Sequence, residues 1–99
     1  MKFQRISVEK ANELIKNDPT LTIADIRDEE SFNCGNIKDS VHINNSSIKS
    51  FLQSTSKDSP LLIYCYHGNS SLQAAEYFVS EGFTNVYSMD GGFAEYKKI

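Results

Sequence analysis

Apolar residues along this chain alternate between short strand-like clusters and stripes at helical spacing. Phe3 to Ile6 reads as a short edge strand. Ser7 then suits a helix N-cap, and Val8, Ala11, Leu14 and Ile15 share one helical face up to Asn17-Asp18-Pro19, where proline disfavours a helical predecessor. Leu21 to Ile26 predicts a strand. Asp28-Glu29-Glu30 places acid at the start of a short helix, carrying Phe32 inward and ending at Gly35. Val41-His42-Ile43 is a brief strand. Ile48, Phe51 and Leu52 mark a further amphipathic helix capped by Ser46 or Ser47. Leu61 to Cys65 is the most continuously apolar run, as expected of a parallel strand covered on both faces. Leu72, Ala75, Phe78 and Val79 define the next helix, closed by Gly82. Asn85 to Ser88 is a last strand, Asp90-Gly91-Gly92 a turn, and Phe93 to Lys97 a terminal helix.

Strands alternating with helices predict an α/β fold: a mostly parallel central sheet of about five strands with helices on both faces. At 99 residues there is room for one domain, residues 1–99, without repeat or linker. Hydrophobic residues at 39% and eleven aromatics are enough for a small core. A net charge of −3 argues against nucleic acid as the main partner. No apolar run is long enough to span a membrane. The polar start, Met1-Lys2-Phe3-Gln4-Arg5, lacks the apolar stretch of a signal peptide, so a cytoplasmic protein with two reduced cysteines is expected.

Ligands of open parallel sheets bind outside the carboxyl ends of the strands, which directs attention to Cys65. It ends the central strand and is followed by Tyr66-His67-Gly68-Asn69-Ser70-Ser71 and then a helix. Such a loop can turn successive amides inward, and the helix dipole adds positive character at the same place. Gly68 permits positive φ, while Asn69, Ser70 and Ser71 offer side-chain donors. A thiol so placed is acidified from roughly 8.5 into the range ~3.5–7.5. Against this stands a buried structural thiol at a strand end; the residues alone leave the two readings even.

Three ordered motifs resemble the rhodanese-like sulfurtransferases over almost the whole chain. Asp25-Ile26-Arg27, Phe32 and Gly35-Asn36-Ile37 are similar to the amino-terminal motif, Cys65 to Ser71 to the active-site loop, and Asp90-Gly91-Gly92-Phe93 to the closing segment. The resemblance implies that Cys65 takes the outer sulfur of thiosulfate as a persulfide, releases sulfite, and passes the sulfur to cyanide or to a thiol or dithiol acceptor such as a thioredoxin-like protein. Loop amides from Tyr66 to Ser71 would hold the negative sulfur. No metal and no organic cofactor is implied. Two positions depart from the pattern: many relatives carry arginine where this chain has Ser70, and Asn36 replaces a histidine.

The remaining candidates divide by spacing. His67 is expected to face solvent and contribute its backbone, since a preformed thiolate needs no base. Arg27 reads as a buried brace for Asp25. Ser71 is placed to cap the helix, support the loop or bond the sulfur. Cys34 has no glycine loop and reads as a bystander. Cys34, His42, Cys65 and His67 lack the paired spacing of a zinc site. A cysteine phosphatase would need arginine where Ser71 stands, leaving a phosphoryl group without its guanidinium partner. A non-catalytic persulfide carrier acting with a partner protein is the alternative to an enzyme, distinguished by turnover of free thiosulfate.

Overall fold

The computed structural model describes residues 3–99; Met1 and Lys2 of the polar start lie outside them. Five strands form one sheet: β1 (Gln4–Ile6), β2 (Thr22–Asp25), β3 (Val41–His42), β4 (Leu61–Tyr64) and β5 (Val86–Met89). All described pairings are parallel, in the order β1-β5-β4-β2-β3. The helices between and after them are α1 (Val8–Asn17), α2 (Glu29–Cys34), α3 (Ile48–Ser54), α4 (Ser70–Ser80) and α5 (Gly92–Tyr96).

The central strand explains the two-layered core. In β4, Leu61 and Ile63 point to one face, and Leu62 and Tyr64 to the other; all four are fully buried. Each such side chain contributes about 1.5–3 kcal/mol relative to exposure. The first face meets Phe51 of α3 and Ala75 and Phe78 of α4. The second meets Val8 and Ala11 of α1, with Phe93 and Tyr96 of α5 packed against it. Helices therefore cover both faces, and the parallel α/β expectation holds.

Local signals explain most element ends. The Ser7 hydroxyl accepts from the Lys10 amide at 3.1 Å and starts α1. Asp28 does the same for α2 through the Ser31 amide. Three expectations shift. Ser47 holds the N-cap position of α3 but makes no side-chain cap bond; the Asn44 carboxamide accepts from the Ser46 and Ser47 amides, at 2.9 and 3.0 Å, and closes the turn before the helix. Phe32 is only half-buried, stacking on His42 with ring centroids 4.9 Å apart. Regular β4 pairing ends at Tyr64, so Cys65 lies one residue past the strand.

The order β1-β5-β4-β2-β3 places the reversal of strand order between β2 and β4, where ligands of such sheets bind. Asp25 and Tyr64 are register partners there, and the Ile26 amide donates to the Tyr64 carbonyl at 3.1 Å. The segments leaving both strands, Ile26-Arg27 and Cys65-Tyr66, thus emerge side by side.

Candidate active site

Cys65 is buried, 6% exposed, and its sulfur faces backbone donors. The Gly68 amide lies 3.1 Å from Sγ and the Ser71 amide 3.3 Å. The loop can curl this tightly because Gly68 has φ +92°; a Cβ there would also stand 2.8 Å from the Gly91 amide nitrogen. The first turn of α4 follows directly, its dipole adding positive character to the same side. Burial pushes the Cys65 thiol up, but bonds from the Ser71 hydroxyl and from the Ser71, Gly68 and Ser70 amides outweigh it and hold the thiol below its ordinary range.

The loop is held from below by α5. The Phe93 and Ala94 amides donate to the Cys65 and Tyr66 carbonyls, both at 2.9 Å. This close approach depends on Gly92, whose φ is +61° and whose Cβ would fall 2.5 Å from both carbonyl oxygens. The short closing helix thereby spends its first amides on the loop that carries the sulfur.

The other expected residues take distinct places. Tyr66 is exposed, and its phenol accepts from Lys97 Nζ at 3.2 Å. His67 is exposed and its ring rests against Tyr66, with centroids 4.7 Å apart. Asn69 and Ser70 are exposed, and among the described residues neither side chain bonds the sulfur; Ser70 acts through its amide. The expectation of side-chain donors from these two is corrected, because the curl of the loop leaves both side chains in solvent. Ser71 lies inside the first turn of α4, so it is not the cap; Asn69 holds that position and makes no side-chain cap bond. The Ser71 side chain is fully buried.

Asp25 and Arg27 form a closed pair beside the loop. Arg27 donates to the Asp25 carboxylate from Nε at 3.0 Å and from its terminal nitrogen at 2.6 Å, and to the Gly35 carbonyl at 2.6 Å. Its guanidinium lies 4.3 Å from the Phe93 ring centroid. Removing one member of so buried a pair costs about 3–5 kcal/mol, because the other charge is stranded. Tyr64, beneath Arg27, is pushed by burial to about 12 and stays neutral. Asn36 donates to the Phe32 carbonyl at 2.9 Å, a local bond that closes the turn after α2. Cys34 is exposed and lines a surface cleft with Arg27, Ser31, Tyr66, Phe93 and Lys97.

Sequence reasoning missed two residues here. Lys97, at the end of α5, reaches the loop only through the fold. Ser88 is fully buried in β5 and its hydroxyl donates to Ser71 Oγ at 2.8 Å. The available signal for Ser88 was a polar residue between Tyr87 and Met89 in an otherwise apolar strand.

The family model for the rhodanese-like domain matches residues 7–99. The chain belongs to the rhodanese-like domain family. It is 46% identical over 97 residues to the thiosulfate sulfurtransferase GlpE of Pseudomonas aeruginosa strain LESB58, covering 98% of this chain and 86% of that one. Identity to GlpE of Tolumonas auensis is 41% over 97 residues, covering 98% and 91%. Among solved structures, a rhodanese-related protein from Thermoplasma volcanium superposes with a TM-score of 0.79 at 25% identity, covering 96% of this chain and 91% of that one. The similarity thus spans almost the whole chain.

Proposed function

We propose that this protein is a thiosulfate sulfurtransferase whose nucleophile is Cys65. The observation that supports it most is the buried Cys65 sulfur accepting two loop amides, in a chain 46% identical to a thiosulfate sulfurtransferase. The thiolate attacks the outer sulfur of thiosulfate. The bond between that sulfur and the sulfonate sulfur breaks, and sulfite leaves with the electron pair. Cys65 then carries a persulfide whose terminal negative charge is received by the Gly68 and Ser71 amides and the α4 dipole. Cyanide attacks the terminal sulfur, thiocyanate departs, and the thiolate is restored. A dithiol acceptor takes the sulfur onto one thiol; the second thiol then displaces hydrosulfide and closes a disulfide. Two displacements on one nucleophile give ping-pong kinetics.

Lys97, held on the Tyr66 phenol, brings a cation to the rim of the loop. Arg27 is committed to Asp25 and Gly35 and serves as a brace. A cytoplasmic compartment suits the reaction, since it keeps Cys65 and the exposed Cys34 as thiols.

The test is turnover of thiosulfate and cyanide to thiocyanate. Cys65→Ser abolishes it, and Cys34→Ser leaves it intact. An aryl phosphate stays unhydrolysed, because Ser71 stands where a guanidinium is needed. Turnover surviving in Cys65→Ser, or Cys65-dependent phosphate release, overturns the assignment.

A further inference from the structure

We propose that the Tyr66 hydroxyl and the Lys97 ammonium together form an oxyanion subsite at the rim of the Cys65 loop, which takes the sulfonate end of thiosulfate and selects anionic sulfur donors. The proposal rests on thiosulfate being the donor and Cys65 the nucleophile, and names what recognises the part of the donor that is not transferred.

Thiosulfate is a dianion, and the loop serves only one of its ends. The Gly68 and Ser71 amides face Sγ, at 3.1 and 3.3 Å, so they serve the sulfur that is taken up. The loop holds no fixed cation for the other end: Ser70 is exposed and uncharged. The neighbouring guanidinium is spent, because Arg27 is closed on the Asp25 carboxylate, the Gly35 carbonyl and the Phe93 face. Lys98 pairs with Glu95 at 3.3 Å, and Arg5 with Asp90 at 2.9 Å. Among the described residues, Lys97 is the cation beside the loop that makes no ion pair.

The direction of its bond to the loop is fixed by chemistry. An ammonium has three hydrogens and no acceptor, so Lys97 Nζ donates to the Tyr66 hydroxyl, at 3.2 Å. The Tyr66 oxygen receives, and its own hydrogen is left for an outside acceptor, as are the two remaining on the ammonium. Tyr66 is 40% exposed, and no acceptor among the described residues takes that hydrogen. One positive charge and three free hydrogens thus stand together, a set that suits an oxyanion with three oxygens.

The fold holds this pair against the loop. Tyr66 directly follows Cys65, and the Phe93 and Ala94 amides donate to the Cys65 and Tyr66 carbonyls. The Lys97 amide donates to the Phe93 carbonyl at 3.0 Å, so Lys97 sits one turn beyond Phe93 on the same face of α5. The turn that carries the ammonium is therefore the turn bonded to the carbonyl of Cys65 itself. Tyr66, Phe93 and Lys97 also line a cleft of about 480 Å³. Asp28 and Glu30 line the same cleft, and their carboxylates disfavour an anion near them, which confines the sulfonate to the Tyr66–Lys97 pair.

The experiment compares iodoacetate with iodoacetamide as alkylating agents of Cys65, in a Cys34→Ser background at low ionic strength. The two reagents are close in size and present the same carbon to the same sulfur; only iodoacetate carries an oxyanion. Lys97→Gln is expected to lower the ratio of iodoacetate to iodoacetamide rates about two- to fivefold, the range of an exposed ion pair, with the iodoacetamide rate parental. Tyr66→Phe lowers the ratio in the same sense and Lys97→Arg keeps it. Lys98→Gln, which changes the net charge equally, leaves it parental. Salt at 1 M, where the Debye length is about 3 Å, removes the parental preference. In turnover, Lys97→Gln lowers kcat/KM for thiosulfate by at least the same factor and leaves kcat/KM for cyanide unchanged, since ping-pong kinetics separates the two substrates. A parental ratio in Lys97→Gln or Tyr66→Phe, an equal loss in Lys98→Gln, or an equal fall with both reagents overturns the proposal. Alkylation needs no sulfur donor, so the two failures are distinct: a parent that turns over thiosulfate without these effects loses the subsite alone, and a parent without turnover loses the activity.

Discussion

Two opposed influences meet on the Cys65 sulfur: burial disfavours its charge, and hydrogen bonds from Ser71, Gly68 and Ser70 favour it more. Folding therefore lowers this thiol's pKa. Alkylation of the native protein should show a midpoint below the ~8.5 of a free cysteine; a midpoint at or above that value means the loop donors do not reach the sulfur. Stability carries the same sign. The thiolate's contribution is complete above the unfolded thiol's pKa and is lost as pH falls through the folded value. Between the two, the unfolded chain binds more protons, so stability rises with pH. Denaturant melts across that window should rise for the parent protein and stay flatter for Cys65→Ser. At this scale the sequence was partly legible. Cys65 stood out because it closes the most apolar run and opens a glycine loop before a helix, whereas Ser88 is separated from it by the whole of α4 and only the register of β5 joins them.

At the scale of elements, the site depends on three backbone segments meeting: the Cys65 loop, the first turn of α4 and the start of α5. Gly92 is where the last of these touches the first. Gly92→Ala forces a Cβ to within 2.5 Å of the Cys65 and Tyr66 carbonyls and adds strain at φ +61°. It should displace α5, cost several kcal/mol, on the order of a buried overpacking plus backbone strain, and cut sulfur transfer more than tenfold. Gly82→Ala is the control. It also sits at positive φ, but its Cβ meets nothing nearer than a lysine carbon at 4.0 Å, at the far end of α4. It should lower stability by about 1–3 kcal/mol and leave kcat unchanged. Equal kcat in Gly92→Ala and the parent contradicts the docking role of α5. Periodicity and capping residues made the elements legible: Ser7 and Asp28 cap as their types suggest. Ser47 takes the N-cap position of α3 as its place suggests, but the side chain that closes the turn before the helix is that of Asn44, which the two serines nearer the helix hid.

Across the whole molecule, the all-parallel order β1-β5-β4-β2-β3 brings the ends of β2 and β4 together and so sets the Asp25–Arg27 pair beside the sulfur loop. The unbroken run Leu61 to Cys65 announced the central strand, and alternation with helices announced the parallel sheet. Spacing announced Arg27 as a brace for Asp25, and the pair is there; what it could not announce is the further hold of Arg27 on the Gly35 carbonyl and the Phe93 face. The central claim is that this geometry makes Cys65 a sulfur-accepting thiolate. Its most direct test is the intact mass of the purified protein after incubation with thiosulfate alone, beside Cys65→Ser and Cys34→Ser. The account predicts a gain of one sulfur atom in the parent and in Cys34→Ser, lost again on adding cyanide, and none in Cys65→Ser. An unchanged parent mass, or a gain that persists in Cys65→Ser, contradicts it.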